Sequence, residues 1–396
     1  MDIKTYTKKE VRDLMVSYHM ININSFFDGK TGVIEVFDKL KSIQYDPLNC
    51  VSRNSDLVLQ ARVNNYKENH LYELLYVDKL LIDGWDKQMS IYKASDFPNF
   101  IRIRQARTIG AKNTLNYRGV SEALEHQDFI LDEIKTKGPL YSKDFNIKKA
   151  QKDRWGSSKI SSHTLDYLFH SGKLGINNKN GVLKQFDLME NIVGELIEQP
   201  PTYKNDDEFI KWYLLRRIKS LGVFQNKSSV AFCGPLIDSK KTRDRYFQEL
   251  EEKNQIMKFY IEDDNKEYYM YKGVLDNNAK IIDKVSFLAP LDNLLWDRDL
   301  VSKIFNFDYR WEVYTPKIKR KYGYYVLPVI SGSRIIGRIE FENYQTNNEL
   351  KIIGFWWEEN IDDKDKQIQL ISIALETFKE YLNAKKVTGK KLIRGE

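Results

Sequence analysis

Apolar residues recur at helical spacing from near the start of the chain. Val11, Leu14, Met15 and Tyr18 follow Thr7-Lys8-Lys9-Glu10, the order in which a capping threonine and a glutamate three residues on satisfy each other's backbone. Gly29-Lys30-Thr31-Gly32 is expected to break the chain, and Val33, Val36, Phe37 and Leu40 resume the helical period. Ser42-Ile43-Gln44-Tyr45-Asp46-Pro47-Leu48-Asn49 then loses it. A residue before proline is pushed out of the α region, so Asp46 is predicted to be extended. Helix is expected again over 67–82. Short helices around one extended piece predict a helix-turn-helix-like, winged-helix-like unit over 1–118.

The segment 119–200 reads more plainly. A helix over 121–137 carries Leu124, Ile130, Leu131 and Ile134 on one face and stops at Gly138-Pro139. A short helix near 142–147 and a third over 161–170, ended by Gly172, come next. Two strand-like runs flank Asn177-Asn178-Lys179-Asn180-Gly181, whose Asn-Gly step favours a tight hairpin turn. Three helices and a hairpin make a winged helix. Residues 201–280 repeat the scheme after Pro200-Pro201, with helices over 208–221 and 243–253 and a hairpin around Asp263-Asp264-Asn265-Lys266. From Val285 the pattern turns to strands, at 309–314, 322–330, 334–341 and 349–357. A helix over 364–384 and a basic tail expected to fray complete 281–396. The predicted class is α+β: tandem winged-helix units with a C-terminal antiparallel β subdomain.

Composition narrows the possibilities. The 396 residues exceed what one hydrophobic core usually organises, and 42% apolar content with 24 Tyr and 20 Phe excludes a disordered chain. No apolar run approaches a membrane span, and the charged N-terminus does not read as a secretion signal. Cys50 and Cys233 are too few for a disulfide framework, which fits a reducing cytoplasm. A net charge of +7 permits a nucleic-acid partner without requiring one.

The chemistry on offer is limited. His19, His70, His126, His163 and His170 are scattered, without metal-binding spacing, and no phosphate-binding loop or nucleophile elbow occurs. No metal and no cofactor are therefore expected. His163, Asp166, Tyr167 and His170 share one face of the third helix of the 119–200 unit, preceded by Lys148, Lys149, Arg154 and Lys159. That face is either groove-reading or simply solvated. Lys319, Arg320 and Lys321 run into Tyr322-Gly323-Tyr324-Tyr325, a basic and aromatic mixture that suits phosphate contact beside stacking surfaces, or else a charged turn before a buried strand. A further basic stretch, Arg102 to Arg118, either tracks a nucleic-acid backbone or decorates a linker. Gln44 and Asp46 form the best chemical candidate. On an extended segment they project to one side about 6.5–7 Å apart, with Tyr45 opposite, near enough to hold one water. Equally, an aspartate before proline can be a turn cap.

Longer runs sharpen this. Ile43-Gln44-Tyr45-Asp46-Pro47-Leu48 followed by Arg53 and Leu57-Val58-Leu59-Gln60-Ala61-Arg62, the run from Phe287 to Arg298, Phe307-Asp308-Tyr309-Arg310, and Lys319 to Pro328 together resemble the YcaQ/AlkZ-type winged-helix DNA glycosylases, over nearly the whole chain. The Gln-x-Asp form resembles the YcaQ-like branch. The chain departs from the family pattern at Ser55-Asp56 and at Gly84-Trp85-Asp86-Lys87, where histidines are usual.

The resemblance implies a monofunctional glycosylase that excises N7-alkylated purines, including those in interstrand crosslinks. It implies Gln44 and Asp46 as the catalytic pair. It also implies a monomer bound to double-stranded DNA in the cytoplasm or nucleoid, with Arg53, Arg154, Lys159, His163, Tyr167, Lys319, Arg320 and Lys321 as candidate DNA contacts. A non-enzymatic winged-helix regulator and a protein-interaction scaffold are the rival classes.

Overall fold

The computed structural model describes residues 3–24, 27–147, 153–154, 159–276, 279–342 and 348–395. They fall into two compact units, Met1–Leu71 with Tyr213–Glu396, and Tyr72–Trp212. Both mix helices with short, mostly antiparallel sheets, so the class is α+β.

The first unit holds two sheets. One is ordered Lys4–Tyr6, Ile256–Ile261, Asp264–Tyr271, Val223–Phe224, with the first pair parallel. The other is ordered Val285–Phe287, Val326–Ser331, Arg334–Phe341, Leu350–Trp357, Val387–Thr388, with only the last pair parallel. A shared core joins them. Val11 and Met15 of the first helix meet Phe259 and Met270 of one sheet, Ile330 and Ile335 of the other, and Leu300 and Ile304 of the helix Arg298–Phe305. The helix Lys8–Tyr18 starts where the pattern predicts: Glu10 N–H donates to Thr7 Oγ1 at 3.1 Å, and Thr7 N–H donates to Glu10 at 2.7 Å.

Several expectations fail here for local reasons. Gly29 to Gly32 does not break the chain, because the helix Gly29–Leu40 includes it. Glycine at 32 serves close packing, since a Cβ there would lie 2.8 Å from the Phe27 carbonyl carbon. Residues 309–314 form a loop rather than a strand, bent around the Glu312 carboxylate. The basic tail is ordered: Ile393 is buried and its carbonyl accepts a 2.9 Å bond from Trp357 Nε1.

The second unit contains the hairpin Leu81–Trp85 with Met89–Lys93, so the helix expected to reach residue 82 stops at Tyr76. Lys79, at φ 53°, breaks it. The basic stretch before residue 119 is the helix Ile101–Arg118. Helices Gln127–Lys137 and Ile160–Ser171 pack on a sheet of Leu140–Tyr141, Leu183–Leu188 and Leu174–Asn180. Ile130, Ile134, Leu165, Leu168, Ile176 and Phe186 make its core, and the hairpin turns at Gly181, φ 58°. The short helix expected near 142–147 is a single turn, Ser142–Asp144.

Candidate active site

Strand Ser42–Gln44 ends at Gln44, and the chain stays irregular through Asp46-Pro47-Leu48. Two asparagines hold the strand. Asn54 Nδ2 donates to the Gln44 carbonyl at 2.8 Å, while Asn54 Oδ1 accepts from Leu291 N–H at 2.9 Å. Asn293 Nδ2 donates to the Ser42 carbonyl at 3.0 Å. Between these anchors Asp292 forms a fully buried, two-pronged ion pair with Arg62, both bonds 2.8 Å. The long run around Asp292 is therefore the buttress of the Gln44 strand. Such a pair adds geometric fixity more than stability.

Asp46 is buried, and one oxygen accepts the Leu48 N–H at 2.9 Å. The turn-capping role is thus real. Among the described residues no hydrogen bond engages its other oxygen. Burial raises the Asp46 pKa above the ordinary carboxylate range, with the Leu48 N–H opposing. Its neighbourhood is acidic and aromatic. Burial, with Glu340 and Asp46 adding, pushes the Cys50 thiol up to about 11. Glu340 accepts the backbone N–H groups of Tyr324 and Tyr325, at 2.5 and 2.9 Å. A side chain at position 323 would displace that carboxylate from its bonds to Tyr324 and Tyr325. Tyr325 is buried, its hydroxyl has no hydrogen-bond partner among the described residues, and burial, with Cys50, Tyr309 and Asp46 adding, raises its pKa well above the ordinary phenol value. Sequence reasoning missed Glu340, which no local pattern marks, and treated Tyr325 only as part of an aromatic run.

Arg53 opens the helix Asn54–Gln60 and is partly committed. Its Nε donates to Asp56 at 2.7 Å, and Tyr66 Oη donates to the other Asp56 oxygen at 2.5 Å. Burial, against the opposing Arg53 charge, raises the Asp56 pKa to about 6. Arg53 Nη2 lies 3.9 Å from Glu68, so two carboxylates hold Arg53, with 26% of its side chain exposed. Asp56, at one of the positions where the chain departs from the resemblance, thus braces Arg53.

Lys319 and Lys321 are exposed and line a cleft of about 1110 Å³ with Lys227, Lys266, Arg298 and Lys303. Eight cations face five carboxylates there, so its field is positive. Arg320 turns away: its Nε donates to the Thr315 carbonyl at 2.8 Å and its guanidinium lies over the Tyr324 ring.

In the second unit the expected groove-reading face is not presented. His163 is buried with Nε2 3.3 Å from Asp153, which also takes two bonds from Arg118. Tyr167 packs against both apolar clusters of that unit. His170 stacks on Trp85 at 5.0 Å, and burial with Arg107 and Lys184 lowers its pKa to about 4. Packing outranked polarity because this helix is sandwiched between the clusters. Arg154 and Lys159 are exposed, whereas Lys148 and Lys149 lie outside the described residues. Gln44, Asp46, Arg53, Lys319, Arg320 and Lys321 belong to the first unit; Arg154, Lys159, His163 and Tyr167 belong to the second.

The buried carboxylate at an anchored strand end and the positively charged cleft lie on the same unit. The family model described as "DNA glycosylase AlkZ-like" matches residues 37–377, and the chain belongs to the AlkZ-like DNA glycosylase family. Its fold is similar to that of the Streptomyces sahachiroi DNA glycosylase AlkZ, with a TM-score of 0.64 at 12% identity, covering 97% of this chain and 99% of that one. No helix among the described residues is long and apolar enough to cross a membrane.

Proposed function

We propose that this family member is a monofunctional glycosylase that hydrolyses the N-glycosidic bond of N7-alkylated purines, in monoadducts and interstrand crosslinks, with Asp46 and Gln44 as the catalytic pair. The observation that carries this reading is the Asp46 carboxylate: buried, held by one oxygen to Leu48, and with the other oxygen unengaged by described residues. Breaking the bond leaves positive charge on the sugar. An anion in a low-dielectric site stabilises that charge far more than it would in water. The same carboxylate accepts the proton of the attacking water. Gln44, fixed through Asn54, orients that water.

The leaving group decides the substrate. A neutral purine leaves poorly without an acid. Cys50 and Tyr325, which feel the Asp46 charge, are poor acids at neutral pH: the Cys50 thiol is pushed up to about 11, and the Tyr325 phenol is raised well above its ordinary value. His19 is buried, its ring nitrogen 3.1 Å from the Leu221 carbonyl, and its pKa is lowered to about 4, chiefly by burial and then by Arg62. An N7-alkylguanine is already cationic and departs neutral, so it needs no acid. In this reading 119–200 and 201–280 act as winged helices, supported by helices followed by antiparallel hairpins in each. Residues 1–118 carry the catalytic pair and 281–396 the five-stranded sheet, and a monomer suffices.

The test is single-turnover release from duplex DNA carrying N7-methylguanine, uracil or 8-oxoguanine, followed by detection of abasic sites. N7-methylguanine should be released and the neutral lesions left in place. Asp46→Asn should slow release on the order of 10²-fold or more, with Gln44→Ala slowing it less. DNA affinity should barely move in either variant. Efficient uracil release, or wild-type rates in Asp46→Asn, would overturn the mechanism.

A further inference from the structure

Asp46 sits on a turn that the chain closes on itself. Asn54 holds the Gln44 carbonyl at one end, and Asn49 and Arg53 pair as an isolated antiparallel bridge within. The Leu48 N–H that Asp46 accepts lies inside that closure. Between the bridge partners run Cys50, Val51 and Ser52, which belong to no helix or strand. The direction of the Asp46 carboxylate therefore depends on what holds the returning limb, 49–54. Ser52 is buried on that limb, and its hydroxyl donates to Glu68 Oε1 at 3.0 Å. Glu68 opens the helix Glu68–Tyr76 and also stands 3.9 Å from Arg53 Nη2.

A second tether reaches Ser52 from the far end of the chain. Tyr381, the last residue of the helix Lys364–Tyr381, places its hydroxyl 2.7 Å from Ser52 Oγ and 3.3 Å from the same Glu68 oxygen. A serine hydroxyl has one proton, and here the carboxylate takes it, so Tyr381 donates to Ser52. The result is a relay from Tyr381 through Ser52 to Glu68. The Tyr381 ring does not depend on it. It packs on Phe378 at 5.8 Å and on Tyr66 at 6.0 Å, and Phe378 rests on Phe287 and Phe341 of the five-stranded sheet. Packing thus fixes the ring, and the hydroxyl carries that fixity across 329 positions of sequence to the Asp46 turn. The whole set lies within the first unit.

We propose that Tyr381 is a positioning residue for the reaction: through Ser52 it holds the limb 49–54, and with it the direction of the Asp46 carboxylate. This rests on the glycosylase reading of Asp46. A reacting group needs its geometry held closely, and small misplacements are costly in rate. Tyr381→Phe keeps the ring, and Ser52 keeps its bond to Glu68, so the variant should unfold at nearly the wild-type temperature. Its single-turnover release of N7-methylguanine at saturating enzyme should fall about five- to tenfold, the effect of one ordinary hydrogen bond, while the Kd for the same duplex stays unchanged. Ser52→Ala should lose at least as much, and the double variant should match Ser52→Ala, because the two hydroxyls act through one bond. Amide exchange over 46–54 should quicken several-fold in Tyr381→Phe while exchange in the five-stranded sheet keeps its wild-type rate. A wild-type rate in Tyr381→Phe, losses that multiply in the double variant, a loss carried by DNA affinity, or unchanged exchange over 46–54 would overturn the proposal. If the wild type releases no base at all, the activity reading fails, and the exchange comparison still decides whether Tyr381 holds the Asp46 turn.

Discussion

Asp46 caps its own turn through Leu48, and in the proposed mechanism that cap holds one oxygen still while leaving the second for chemistry. Because burial raises its pKa, the anion forms at a higher pH than an ordinary aspartate would need, which is about 3.9. If the anion is the working form, the single-turnover rate should climb with pH through that raised value and then level off. The acid limb should vanish in Asp46→Asn, and a profile with no acid limb in the wild type would argue against an ionised Asp46. Tyr325 supplies a second residue-scale prediction. Its buried hydroxyl has no partner among the described residues, an arrangement that costs on the order of 1–3 kcal/mol. Tyr325→Phe should therefore be as stable as the wild type or more so by denaturant titration. If the hydroxyl serves the reacting water or Asp46, excision should nonetheless slow about tenfold, the effect of losing one hydrogen bond of roughly 1.4 kcal/mol. A Tyr325→Phe protein that gains stability and keeps its rate would assign the residue to packing alone.

At the scale of elements, the three-residue strand Ser42–Gln44 is too short to fix its own geometry. Its position is borrowed from the helix Asn54–Gln60 and from the segment Leu291 to Asn293, reached through Asn54 and Asn293. Asn54→Ala strands a carbonyl and an amide at once. It should lower the unfolding free energy by about 2–4 kcal/mol and slow excision by loosening Gln44, with DNA affinity little changed. Denaturant titration and single-turnover rates on one preparation separate the two effects. A full rate with reduced stability would mean that Gln44 needs no such support. The brace of Arg53, Asp56 and Tyr66 works similarly: Asp56 holds the arginine through one oxygen and the tyrosine hydroxyl through the other.

At the scale of the molecule, the proposed attraction to DNA would be spread over many cations, which the structure places differently. Lys319 and Lys321 face the cleft, whereas Arg320 is spent on its own loop. Neutralising Lys319 and Lys321 together should reduce the slope of log affinity against log salt by about one to two units on undamaged duplex. Neutralising Arg320 alone should leave the slope nearly unchanged while weakening the loop. Equal slopes for wild type and the double variant would place the cleft off the DNA path.

Periodicity and turn chemistry were enough for what is decided locally. The Thr7-Glu10 cap, the Asn180-Gly181 hairpin, the Gly172 stop and the helix at Lys364–Tyr381 follow from residues within a turn of one another. The Gln44-x-Asp46 pair was legible too, as a motif with two open readings. Its setting was not. Asn293 and Leu291, which anchor the strand before Asp46 directly and through Asn54, lie some 250 positions along the chain from it, and the burial that raises its pKa depends on tertiary packing that no local pattern records. The same physics misdirected the reading of His163 and Tyr167. Helical spacing shows which residues share a face, but only the packed unit decides whether that face meets water or, as here, Asp153 and two apolar clusters.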